Sequence, residues 1–480
     1  MIFIILSFSP SIRGGCILNC RIALLHVGGE DTAHGGSPRL VSPPTGDNLE
    51  CTLRGSDNKI YHLYLQKDQI LKTGTAAGTG KIMQPNRTAK SKYLNEKYTA
   101  NNNVKFIRGG GAYFDQMLRM IDQARQSIHL QTYIFDDDAT STIVAEALKR
   151  AAQWGVNVYV LTDGYASGVL SRSFIKQLRA AGVHFRFFEP LFRSKYFYFG
   201  RRLHHKIIIA DTRCAMVGGL NITERYNDRP GYTAWLDFAV WVEGEIVKEL
   251  CTLCWKTWKE FPVKTGTLPC EQEYLEAALP LFPAPKRVRM RINDWVRNKN
   301  EISRSYVEML KNAQSHVVIL CSYFLPGKTF RKQLLLAAKR GVKIRIILAG
   351  LSDIKLAKYA ERYVYDWLLR NNIAIYEYQG NVLHGKVSVC DTEWLTIGSY
   401  NINNISAHAS IELNLDIYDA EFAAEVEAVF EEIMEKECIG MTREMFTRNN
   451  NLLKRFLWWW SYQTIKGLIY LFTFYFRKKN

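Results

Sequence analysis

Along most of this 480-residue chain, apolar runs of strand length alternate with segments whose apolar residues recur at helical spacing. The run SIHLQTYIF reads as a buried strand, STIVAEALKRAAQWG as an amphipathic helix and VNVYVLTDG as a second strand. The same order returns further on, in HVVILCSYFLPG, FRKQLLLAAKRG and VKIRIILAG. Near-continuous apolar strands separated by amphipathic helices predict an α/β sandwich, with helices laid over a largely parallel sheet. A repeat of this length indicates duplicated domains, since solenoid repeats run to only about 20–50 residues.

The proline-punctuated stretches FPVKTGTLPC and ALPLFPAPK mark a natural break and predict a linker over 263–286. The expected organisation is a poorly ordered extension over 1–90, a first domain over 104–262, the linker, a second domain over 287–440 and a tail over 441–480. The extension is rich in Gly, Ser, Thr and Asn, has little periodicity, and carries no assigned function. Its opening MIFIILSFS lacks a basic flank and a cleavage site and is too short to span a bilayer.

Composition narrows the partners. An apolar fraction of 47% with 12% aromatics is that of a globular chain. A formal net charge of +17 asks for nucleic acid, an anionic membrane surface or an anionic substrate. The ten cysteines are scattered, unlike a small disulfide framework, and suggest a reducing, cytosolic setting. Cys251 and Cys254 form a CxxC with no second pair or nearby histidine, so they read as two thiols on a helix and not as a zinc site.

The chemistry is concentrated in a pattern that occurs twice, 180 residues apart: LHHKIIIAD and LHGKVSVCD. The first supplies His204, Lys206 and Asp211, followed by Gly218, Gly219 and Asn221; the second supplies His384, Lys386 and Asp391, followed by Gly398, Ser399 and Asn401. Side chains alternate along a strand, so each histidine shares a face with its lysine. A nucleophile and a cation then sit together, and a glycine turn can bring backbone N–H groups close to a phosphate. One such pair is easily a surface coincidence. Two copies with identical downstream spacing inside a repeat are not.

These residues resemble the phospholipase D superfamily over roughly 104–437. Its cardiolipin synthase branch is the most similar, on GGLN with WLDFAVWVEG in the first half and SYFLPG, AAKRGVKIRIIL, LHGKV, GSYN and SIELN in the second. The form without an N-terminal transmembrane hairpin fits best. The resemblance implies two tandem α/β domains related by a pseudo-twofold axis, with the motifs converging on one active site. It implies that one histidine, expected to be His204, attacks phosphorus while the other, His384, serves as general acid and base. Lys206, Lys386, Asn221 and Asn401, helped by Gly219 and Ser399, are expected to hold the phosphate oxygens. Asp237 and Glu412 are expected to orient the histidines. Asp211 and Asp391 are motif members expected to act structurally, bonding nearby backbone and the opposite half. No cofactor and no metal are implied, because two lysines supply the charge a cation would bring.

The tail bears on substrate class. Residues 441–480 hold eight Lys/Arg against one Glu, with eleven aromatics. The 21 residues from Phe456 to Phe476 are long enough to span a bilayer, but Lys466 sits in the middle, where a lysine costs about 2.5–3.5 kcal/mol. An interfacial helix is preferred over a span or a soluble packing helix. The aromatic-basic stretch FRSKYFYFGRR, at 192–202, is a second candidate for touching lipid. The expected activity is therefore phosphatidyl transfer that makes cardiolipin from phosphatidylglycerol and an alcohol-bearing lipid, at the cytoplasmic face of the membrane. Hydrolysis, or transfer to serine, remains open as an alternative because the pocket chooses the acceptor. A nucleic-acid phosphodiesterase has no use for such a tail, so no nucleic-acid partner is expected. Oligomeric state is not legible.

Overall fold

A computed structural model describes residues 98–190, 201–259, 280–297, 299–403, 406, 410–448 and 451–477, together with four short upstream strands. The rest of the extension expected over 1–90, most of the expected linker and residues 192–200 of the aromatic-basic stretch lie outside the described residues. The chain divides into a unit over Met1–Arg87 and a larger one over Thr88–Asn480 that carries both motifs.

In the first half of the larger unit the strands are β1 (Thr99–Arg108), β2 (Ser127–Thr132), β3 (Asn157–Asp163), β4 (His184–Phe188), β5 (Arg202–Leu203), β6 (Lys206–Ala210), β7 (Cys214–Gly218) and β8 (Phe238–Gly244). The helices are α1 (Gly111–Gln123), α2 (Ala139–Gln153), α3 (Arg172–Ala180) and α4 (Ile246–Lys259). The second half repeats the order with β9 (Lys286–Asp294), α5 (Glu301–Asn312), β10 (His316–Cys321), α6 (Lys328–Lys339), β11 (Lys343–Ala349), α7 (Lys355–Arg370), β12 (Ala374–Tyr378), β13 (Lys386–Cys390), β14 (Trp394–Gly398), β15 (Ser410–Tyr418) and α8 (Ala420–Lys436). It ends in β16 (Cys438–Met441), α9 (Arg443–Arg448) and α10 (Leu452–Arg477).

Local chemistry explains where these elements start and stop. The Asp138 carboxylate accepts from Ser141 N at 2.9 Å and the Asp419 carboxylate from Phe422 N at 2.8 Å, capping α2 and α8. After α2, α3 and α6 the chain turns through Gly155, Gly182 and Gly341, all with φ between +90° and +95°, a region L side chains avoid.

The parallel core expected from sequence is present in both halves but is only part of each sheet. Strands β2, β3 and β4 run parallel, while β6, β7, β8 and β1 add antiparallel. Correspondingly β10, β11 and β12 are parallel, and β13, β14, β15 and β9 add antiparallel. The two sheets join where β9 pairs with β1.

Period-two alternation then sorts the side chains. Ile208 and Ala210 pack under α1 and α2, whereas Ile207 and Ile209 face a shared core with Val387, Val389, Ile397 and Leu415 of the other half. Helices α4 and α8 close that shared core, and α5, α6 and α7 cover the outer face of the second half.

The tail is not free of the folded pair. Trp458 of α10 is buried and stacks on Phe446 with ring centroids 5.4 Å apart, and Tyr462 packs on Tyr363 of α7 at 4.8 Å. One stripe of α10 is thus docked, while Phe456, Trp459 and Trp460 on its other side are exposed. No helix among the described residues is long and apolar enough to cross a membrane.

Candidate active site

Both motifs enter their strands late. β6 begins at Lys206 and β13 at Lys386, so each histidine lies just ahead of the regular strand. Backbone bonds to the opposite half fix these entry segments. His204 N donates to Ile411 O at 3.0 Å, and β5 pairs parallel with the start of β15. His384 N and Gly385 N donate to Leu236 O at 2.7 and 3.1 Å. Ile411 and Leu236 each precede the carboxylate expected to orient a histidine, so the same crossing that joins the halves delivers those carboxylates.

The pairing is reciprocal. His204 Nδ1 lies 2.8 Å from Glu412 Oε2, and His384 Nδ1 lies 2.6 Å from Asp237 Oδ2. Each imidazole is held by the other half's carboxylate. Lys206 Nζ donates to His204 O at 2.5 Å; Lys386 Nζ donates to His384 O and lies 2.7 Å from His384 Nδ1. Tyr133 meets the His204 ring edge-on at 4.9 Å, and Tyr226 does the same to His384 at 5.2 Å.

The two carboxylates differ. Burial raises the pKa of both, but for Glu412 the His204 charge, Lys206 and the Ser399 hydroxyl outweigh it, leaving that carboxyl below its usual range. Glu412 also accepts from the hydroxyls of Ser399 at 2.5 Å and Ser410 at 2.7 Å. Asp237 has no hydroxyl donor among its bonds; it accepts from Phe238 N at 2.8 Å, and burial pushes it up to about 6 against the pull of Lys386. Burial lowers His204, with Lys206 adding to the fall and Glu412 opposing it. Burial and then Lys386 and Lys206 take His384 well below its ordinary value. Burial also brings Lys206 down to about 7 and lowers Lys386. Each half's cation registers on the other half's histidine, which is the electrostatic sign of one site.

The remaining expected residues divide. Asn221 and Asn401 are buried beside the lysines' strands: Asn221 Oδ1 accepts from Ile134 N at 3.1 Å and its Nδ2 donates to Tyr226 Oη at 3.0 Å, while Asn401 Oδ1 accepts from Ser322 Oγ at 2.6 Å.

Gly219 and Ser399 do not offer free N–H groups to a phosphate. Their amides donate to Phe238 O at 3.1 Å and Leu413 O at 3.0 Å. Gly219 instead makes room, because a Cβ there would meet Asp237 Oδ1 at 2.3 Å, and Ser399 buttresses Glu412.

Asp211 and Asp391 follow the far ends of β6 and β13, roughly 16 Å of strand from the lysines. They sit in left-handed turns at φ 54° and 53°. Asp211 accepts from the amides of Arg125, Gln126 and Ser127, and Asp391 from those of Gln314, Ser315 and His316. Both staple their own half, not the opposite one as expected, and neither reaches the histidines.

The chain was also compared with known proteins. The family described as "Cardiolipin synthase, PLD-like domain" matches residues 117–250 and 306–434. The chain belongs to that family. Cardiolipin synthase B of Shigella flexneri is 32% identical over 363 residues, covering 75% of this chain and 85% of that protein. Cardiolipin synthase B of Escherichia coli K12 is 31% identical over the same length, and probable cardiolipin synthase YwiE of Bacillus subtilis is 31% identical over 340 residues, 70% of this chain and 66% of that one. Among solved structures, phosphatidylserine synthase from Haemophilus influenzae Rd KW20 superposes with a TM-score of 0.60 at 13% identity, over 77% of this chain and 95% of its own; it speaks for the fold alone.

Sequence reasoning passed over Tyr133, Tyr226, Ser410 and the Tyr323–Asp353 pair. Tyr133 and Tyr323 follow equivalent strands in the two halves, QTY and CSY, so aligning the repeat against itself was the available signal. Nothing in the sequence marked Tyr226 or Asp353.

Proposed function

We propose that the chain is a phosphatidyltransferase that makes cardiolipin from phosphatidylglycerol and an alcohol-bearing lipid through a phosphohistidine. The observation that carries this is the reciprocal pairing of His204 with Glu412 and His384 with Asp237. It gives two imidazoles, each held at Nδ1 with Nε2 left to act, beside two lysines. That is the equipment for a double displacement at one phosphorus.

His204 is the nucleophile in this reading. Its Nδ1–H donates to an ionised Glu412, so Nε2 presents a lone pair, and the carboxylate stabilises the positive charge that builds on the ring as the P–N bond forms. His384, held at Nδ1 by Asp237, protonates the departing glycerol from Nε2 and then takes the proton of the incoming hydroxyl. Lys206 and Lys386, with the amide ends of Asn221 and Asn401, hold the non-bridging oxygens; an anionic phosphate restores full charge to the lysines that burial depresses. Asp237 and Glu412 position the rings, and Asp211 and Asp391 rank as structural members of the motif.

The substrates are phospholipids, and the enzyme works at a membrane. We place it at the cytoplasmic face, held by α10, whose exposed Phe456, Trp459 and Trp460 suit the headgroup region and whose basic flanks suit anionic lipid. Domain limits near 104–262 and 287–440 remain our working division of the chain. Incubating purified protein with phosphatidylglycerol liposomes and identifying products by mass spectrometry tests the reading. Cardiolipin with released glycerol is expected; phosphatidic acid alone would make the enzyme a hydrolase.

A further inference from the structure

In an in-line displacement the alcohol leaves on the side opposite the attacking nitrogen. If His204 attacks, the departing and entering alcohols both occupy the His384 side. That side has its own furniture. Tyr226 stands edge-on to His384, Trp235 lies 6.2 Å away, and the Arg225 guanidinium covers Trp235 at 5.2 Å. Beyond them the turn after β11 carries Asp353, and the Tyr323 hydroxyl donates to Asp353 Oδ1. Asp353 is exposed, yet its charge registers on His384, Lys386 and Tyr226.

The corresponding turn after β3, residues 164–170, holds no carboxylate. Asp163, which ends β3 where Ala349 ends β11, is fully buried and occupied by the amides of Tyr165, Ala166 and Leu203 with Arg202 beside it. One side of a nearly symmetric site therefore carries an accessible carboxylate, and it is the side the alcohol uses. With one bond from Tyr323, Asp353 retains acceptor sites. A second phosphate would be repelled there, whereas a headgroup bearing a donor is drawn in.

Resting on the transfer reading above, we propose that Asp353, held by Tyr323, is a specificity-determining residue for the alcohol. It accepts a hydrogen bond from a donor on the carbon next to the reacting hydroxyl. Glycerol headgroups meet this through a second hydroxyl and ethanolamine through its ammonium. The bound alcohol's oxygen attacks phosphorus, the P–Nε2 bond breaks with its electron pair returning to His204, and the hydroxyl proton passes to His384. Asp353 gives up and takes no proton. Its work is to favour such alcohols over water and over simple alcohols.

The test is competition within one reaction. Full-length enzyme and dihexanoyl phosphatidylglycerol are supplied with equimolar deuterated glycerol and 1-propanol, then ethanolamine and 1-propanol, and the exchanged lipids are measured by mass spectrometry. The product ratio reports how the phosphoenzyme partitions and does not depend on how fast it forms. A hydrogen bond to a charged group predicts about tenfold or greater preference for glycerol over 1-propanol in the wild type. Asp353→Ala should bring that ratio near one, and Tyr323→Phe, which removes only a hydroxyl, should lower it in part. Ethanolamine preferred as glycerol is, and lost with it, identifies the carboxylate's charge as the reader. A wild-type ratio near one, or an Asp353→Ala ratio equal to the wild type, overturns the proposal. Phosphatidic acid as the sole product, with neither alcohol incorporated, overturns the transfer reading beneath it.

Discussion

Changing Glu412 to Gln should disable a histidine that belongs to the other half of the protein. The substitution keeps shape and removes charge at a side chain with no exposed surface. Glu412 accepts from His204 Nδ1 at 2.8 Å, Ser399 Oγ at 2.5 Å and Ser410 Oγ at 2.7 Å. The serine hydroxyls can rotate to accommodate an amide, so the fold should lose only about 1–2 kcal/mol. The catalytic cost is larger. His204 becomes cationic as it bonds phosphorus, and a neutral partner no longer supports that charge or fixes the tautomer. Neutralising the equivalent carboxylate of a serine-protease triad lowers kcat by about ten-thousandfold, so a loss of roughly 10³–10⁴ is expected here.

Asp237→Asn provides the contrast, because it acts on His384 and therefore on the leaving group. With a p-nitrophenyl phosphodiester, whose leaving group needs no proton, Asp237→Asn should form phosphoenzyme at near the wild-type rate, while Glu412→Gln should remain slow. Rapid acid quench with a labelled donor measures both. Equal losses for the two variants on the activated substrate, or a Glu412→Gln rate within threefold of wild type, would refute this division of roles.

The other expectations are briefer. His204→Ala and His384→Ala should each abolish turnover with the melting temperature little changed, label from a quenched reaction should sit on His204, and EDTA should not affect the rate; label found only on His384 reverses the assignment. Lys206→Met should be inactive but more stable. Burial takes this ammonium down to about 7, so between there and about 10.5 the unfolded chain binds a proton that the folded one does not. Wild-type stability thus rises with pH across that window, and at or below pH 7 the buried charge costs on the order of 3–5 kcal/mol, less what Glu412 loses with its neighbour. Calorimetry at pH 6.5 should show the variant melting higher, with most of the gain gone by pH 10; a lower melting point at pH 6.5 contradicts it. Replacing the exposed Phe456, Trp459 and Trp460 together with serine leaves Trp458, Tyr462 and Ile465 against the second half and should lose sedimentation with anionic liposomes while short-chain phosphatidylglycerol is still turned over. Undiminished sedimentation moves the anchor elsewhere, with 192–202 the first place to look.

The doubled motif and its flanking strands and helices were readable because they rest on local signals, period-two and helical patterning. Even Glu412 and Asp237 were legible, through resemblance. Which histidine each would serve was not, because the answer depends on two strands from different halves lying side by side at Leu236 and Ile411. Gly219 and Ser399 misled for the same reason. A glycine after a strand reads locally as a turn near phosphate, yet the neighbour it must admit, Asp237, comes from a strand 18 residues on. The tail shows the limit from the other side. Its composition suggests lipid throughout, but Trp458 finds Phe446 and packs into the second half, so one stripe of an aromatic helix belongs to the protein core.

Duplication gives the site symmetry, and fusing the two halves in one chain lets that symmetry be broken. The crossing of the halves allows each pair to be tuned without disturbing the backbone that holds it. Around Glu412, two serine hydroxyls and a histidine stabilise the anion. Around Asp237 the matching position to Ser399 is Gly219, which supplies no hydroxyl, and the carboxyl rises to about 6. At Glu412 the charges of His204 and Lys206 outweigh burial, with the Ser399 hydroxyl adding to them, whereas at Asp237 burial outweighs the pull of Lys386. Because each carboxylate is given by the half that does not own the histidine, neither half holds a complete pair, and the fused chain is the smallest unit in which either imidazole is positioned.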